Sequence, residues 1–201
     1  MASTTTNRND KICTVYKCLR HHYVLKRSVV FIVDNIFSDT IFQKMSANYV
    51  KTFFNLLSPN DHFGYISLGK RAEEIILERK EKSTFTKKQF LKEINKTEIY
   101  EKPDKSHEVR LEIALQKALY WQSNRVEDTK VEVNGHVYYS PHKWIVCIIG
   151  SDIFPVGNFL NEYKSHLKSQ ENLSISMMGL SCEPFGAWGA WKHLDDYRKL
   201  C

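Results

Sequence analysis

The sequence predicts an α/β protein: a doubly wound, mostly parallel sheet with one antiparallel edge strand, covered by helices in three α/β/α layers. Three observations carry this. Val29 to Val33 form an unbroken apolar run that ends in Asp34. Trp144 to Ile149 form a second such run, ended by Gly150-Ser151-Asp152. Uninterrupted apolar runs of this length mark strands buried on both faces, which is how parallel sheets sit. Between these runs apolar residues return at three- and four-residue spacing, so strands alternate with amphipathic helices and right-handed crossovers are expected.

The elements follow in order. The first strand spans roughly Ser28 to Val33. The helix after it runs from about Asp39 to Leu57, capped by Ser38 or Asp39, with Ile41, Phe42, Met45, Tyr49, Phe53, Phe54 and Leu57 as its apolar positions. Ser58-Pro59-Asn60-Asp61 stops it. Phe63 to Leu68 is the second strand. Gly69-Lys70 then leaves room only for a short link to a third, Ala72 to Leu77, which is therefore antiparallel and at the edge. Thr86 caps a short helix from Lys87 to Asn95. A loop over Lys102 to Ser106 leads into a long helix, Glu108 to Asn124, with Val109, Leu111, Ala114, Leu115, Ala118, Leu119 and Gln122 mostly on one face. Asn134-Gly135, flanked by Val131, Val133, Val137 and Tyr139, is the strongest short hairpin signal, so a two-stranded ribbon is expected over Lys130 to Tyr139. After the strand Trp144 to Ile149 come a helix from about Val156 to Ser169, a strand from Leu173 to Leu180, and a helix around Ala187 to Lys199.

The 201 residues suffice for one full-sized core, and 42% hydrophobic with 26% charged residues is ordinary for a globular chain. No apolar run is long enough to cross a bilayer, so no membrane association is expected. Residues 1–27 read as a basic N-terminal arm, partly disordered, and 28–201 as the domain, with the hairpin inserted at about 130–140. Lys11, Lys17, Arg20, Lys26 and Arg27 load the arm, with His21 and His22, and the chain carries a net charge of +6. That footprint makes nucleic acid an alternative partner through the arm. Met1 to Asp10 lack the apolar core of a signal peptide, and five cysteines at irregular spacing suggest free thiols in a reducing compartment. An intracellular location, cytoplasmic or nuclear, is expected. The sequons at Asn95 and Asn172 then carry no weight.

Residues 28 to 200 resemble a von Willebrand factor A (VWA) domain. The resemblance rests on the strand ending at Asp34, the Ser38 after it, and the turn and strand Pro59-x-Asp61-x-Phe63-Gly64-Tyr65-Ile66-Ser67. It also rests on the Ala114-Leu115 helix after a polar loop and on the strand Ile145 to Ile149 followed by another polar loop. It implies a Rossmann-like fold with a six-stranded sheet, although no sixth strand is evident after Leu200. It also implies a metal-ion-dependent adhesion site. The family builds that site from Asp-x-Ser-x-Ser, a Thr before a later helix and an Asp after the fourth strand, the hard oxygen donors that Mg²⁺ requires. This chain keeps Asp34 and Ser38. Ile36 replaces the middle Ser, the Thr position falls at or near Val109 with Ser106 the closest hydroxyl, and the Asp position falls at Gly150 with Asp152 two residues on.

The expectation is therefore a degenerate site on a non-enzymatic scaffold module, a subunit of a larger complex. No cofactor is expected, and Mg²⁺ is the one candidate, held by Asp34, Ser38 and Asp152 in the alternative reading as a metal-dependent adhesion module. Asn35, Ile36, Phe37, Ser106, Ser151 and Trp188 are the candidate partner-binding residues. An enzymatic reading finds little: Asp34 to Ser38 contain no glycine to cradle a phosphate. Cys182, with Glu183 adjacent and His193 ahead, would need a base placed against it in space. Cys13, Cys18, His21 and His22 match zinc in residue type but not in spacing.

Overall fold

The computed structural model describes residues 26–34, 40–68, 73–94, 107–123, 129–133, 135–150, 165 and 172–179. A five-stranded sheet runs through the middle, in the order β3-β2-β1-β6-β7. Its strands are β1 (Arg27–Asp34), β2 (His62–Leu68), β3 (Glu73–Glu81), β6 (His142–Ile149) and β7 (Leu173–Gly179). β1 pairs in parallel with β2 and β6, β6 pairs in parallel with β7, and β3 alone runs antiparallel, against β2. β4 (Thr129–Val133) and β5 (His136–Ser140) form a separate antiparallel pair. Gly135 turns it with φ 77°, a backbone conformation that favours glycine.

Among the described residues, the helices that cover the sheet are α1 (Thr40–Leu56), α2 (Lys87–Ile94) and α3 (His107–Ser123). The alternation of side chains along β1 divides the core between two layers. Val30 and Ile32 join Ile66, Ile145 and Cys147 under Leu111, Leu115, Ala118 and Trp121 of α3. Val29, Phe31 and Val33 join Phe63, Val146 and Ile148 under Phe42, Val50 and Phe54 of α1 and Phe90 of α2. The predicted α/β/α layering and the antiparallel edge are therefore present. The six strands that the resemblance implies number five among the described residues. Of the expected helix over 156–169 only Ser165 is described, and the helix over 187–199 lies outside the described residues.

Several element details differ from the sequence reading. β1 begins at Arg27, one residue inside the expected arm. On α1, Met45 and Tyr49 are 50% and 36% exposed, and the buried face runs through Phe42, Ser46, Val50 and Phe54 instead. A stripe at four-residue intervals sits on the sheet, and the polar Ser46 is tolerated within it because its Oγ donates to the Gln43 carbonyl at 3.1 Å. β3 extends four residues beyond Leu77. Its Arg79 is buried and its Nε donates to Ser28 Oγ at 2.7 Å, which carries the charged stretch along the sheet. α2 starts as expected: Gln89 N donates to Thr86 Oγ1 at 3.1 Å while Thr86 N donates to Gln89 Oε1 at 3.2 Å, a reciprocal cap.

Candidate functional site

β1, β2, β6 and β7 are parallel, so Asp34, Leu68, Ile149 and Gly179 all end on one rim of the sheet. β1 is the central strand of the order, which puts Asp34 where open α/β sheets place their ligands. Asp34 is wholly buried. The first residue after β6, Gly150, donates its backbone N–H to Asp34 Oδ2 at 3.3 Å. This bond joins the two positions that the family resemblance makes metal ligands, and it does so from main chain to carboxylate.

Phe42, two residues into α1, closes the same corner. A Cβ added at Gly150 would stand 3.0 Å from Phe42 Cε2, 3.2 Å from Cζ and 3.3 Å from Cδ2. The ring therefore fills the space that a side chain at position 150 would need. Phe42 is itself buried in the layer with Val33 and Ile148. The corner around Asp34 is apolar on that side and hydrogen-bonded at the strand end.

Of the predicted metal set, Asp34 is described, and Ser38 and Asp152 lie outside the described residues. So do Asn35, Ile36, Phe37, Ser106, Ser151 and Trp188. Val109 lies within the first turn of α3. Among the described residues no group of three or more His, Cys, Asp or Glu could hold a metal ion. No described helix is long and apolar enough to cross a membrane. Cys147 is buried and forms no disulfide, in line with its place in an apolar strand.

The opposite rim joins polar groups that lie far apart along the chain. Asp61 Oδ1 accepts the Arg27 backbone N–H at 2.8 Å. Its Oδ2 accepts Arg27 Nε at 3.0 Å, Arg27 Nη2 at 2.8 Å and the Ser58 N–H at 2.8 Å. Arg27 Nη2 also reaches the Leu56 carbonyl, and Lys82 Nζ donates to the Leu57 carbonyl. Thus one carboxylate ties the start of β1 to the end of α1 and the turn before β2. Burial lowers the Lys82 pKa from its usual value, with the Asp61 carboxylate acting against the shift and the Arg27 guanidinium adding to it.

Deeper in, Ser28 Oγ donates to Gln122 Oε1 at 2.6 Å and receives Arg79 Nε. Gln122 Nε2 donates to the Ser28 and Trp144 carbonyls at 3.0 and 3.1 Å. This network ties β1, β3, β6 and α3 together inside the core. Beside it His62 is half-buried, with Nδ1 buried and lacking a hydrogen-bond partner. Burial, followed by the Arg79 guanidinium, lowers its pKa below the ordinary 6.5. A contact map that ties residues 51 and 94 positions apart is the signal that would have revealed this rim.

No family model matches the sequence, and a search of curated proteins finds no match. Solved structures do. The crystal structure of the SpRpn10 VWA domain aligns at TM-score 0.53 with 14% identity, over 86% of this chain and 82% of that one. Proximal thread matrix protein 1 from the mussel byssus aligns at TM-score 0.51 with 12% identity, over 85% of this chain and 40% of that one. The fold is thus of the von Willebrand factor A type, with the antiparallel β3 at one edge of a parallel sheet.

Proposed function

We propose that this chain is a non-enzymatic protein–protein interaction module, a scaffold domain within a larger complex. Its binding rim is the carboxyl end of the parallel strands, from Asn35 to Ser38 and through Ser106, Ser151 and Asp152, with Trp188 as a further anchor. It works without a metal ion. One observation carries the metal-free reading: Asp34 is buried and takes the Gly150 amide, while Phe42 fills the space beside Gly150. An octahedral ion needs several hard oxygens free on the same corner. Here the carboxylate expected at position 150 is replaced by a backbone donor, and a donor competes with a cation for Asp34. Recognition in this reading comes from loop shape, loop backbone groups and the apolar Ile36 and Phe37, as in ordinary protein interfaces. The SpRpn10 VWA domain supports the reading only through its fold.

The test is affinity capture from the native source in EDTA, with the intact chain and with a variant whose Asn35-Ile36-Phe37 is replaced by Gly-Ser-Gly. The proposal expects a partner held by the intact chain in EDTA and lost from the variant, with unchanged circular dichroism. Capture that requires Mg²⁺ would move the function to the metal-dependent reading through Asp34, Ser38 and Asp152. Capture that ignores the loop replacement would remove the rim as the binding surface.

A further inference from the structure

We draw no further inference here: the strongest candidate, the exposed apolar stripe of Met45, Tyr49 and Leu56 along α1, carries nothing because nothing in the structure shows what covers it.

Discussion

Gly150 and Phe42 together decide what the end of the central strand can hold. Gly150→Ala pushes a methyl to 3.0 Å from a buried ring, an overpacking that should cost about 1–3 kcal/mol in denaturant unfolding. Gly150→Asp restores the family's carboxylate by type but adds the same clash and a second carboxylate near Asp34, so it should be the less stable of the two. Equal stability of both variants with the unaltered chain would contradict the packing described here. At the opposite rim Asp61→Ala removes the acceptor of four hydrogen bonds, three of them from Arg27. Arg27 is 34% exposed, so water recovers part of its charge. The expected loss is about 2–3 kcal/mol, again from denaturant unfolding. Asp34 and Asp61 were both visible in the sequence as residues at element ends. Their partners were not, because a backbone amide 116 positions away and an arginine 34 positions away are joined only by the fold.

At the scale of elements, the sheet was the legible part. Val29 to Val33 and Ile145 to Ile149 are apolar throughout because both of their faces are covered, and that leaves no alternative pattern to confuse them with. Helix faces were less legible. Met45 and Tyr49 keep helical spacing with Phe42 and Phe53, yet the sheet takes the neighbouring stripe through Ser46 and Val50. A serine inside the buried stripe and a methionine outside it invert the expected ranking. The length of β3 was illegible for a related reason: a burying arginine looks like a surface charge until Ser28 is placed beside it. α2 is held chiefly through Phe90, stacked on Phe54 with ring centroids 3.9 Å apart and planes at 11°. Phe90→Ala should cost about 3–5 kcal/mol and raise amide exchange in α2 before the rest of the molecule. Uniform exchange across the chain in that variant would contradict a separate docking of α2.

For the molecule as a whole, the fold follows from a few long apolar runs, while the binding proposed above depends on loops whose chemistry is set residue by residue. Stability should fall on mild acidification. Burial lowers the pKa of His62, aided by the Arg79 charge. The unfolded chain then binds protons below about pH 6.5 that the folded chain does not yet accept, so stability is retained above pH 6.5 and lost as pH falls through it. Urea midpoints at pH 7.5 and 5.5 check this, and His62→Asn should reduce the difference. The proposed function is that of a VWA-type binding module whose strand-end rim works without metal. Calorimetric titration of the 201-residue chain with Mg²⁺ and with Mn²⁺ tests it most directly. No saturable heat is expected with either ion, in the unaltered chain and in Asp34→Asn alike. Micromolar binding in the unaltered chain that disappears in Asp34→Asn would contradict it.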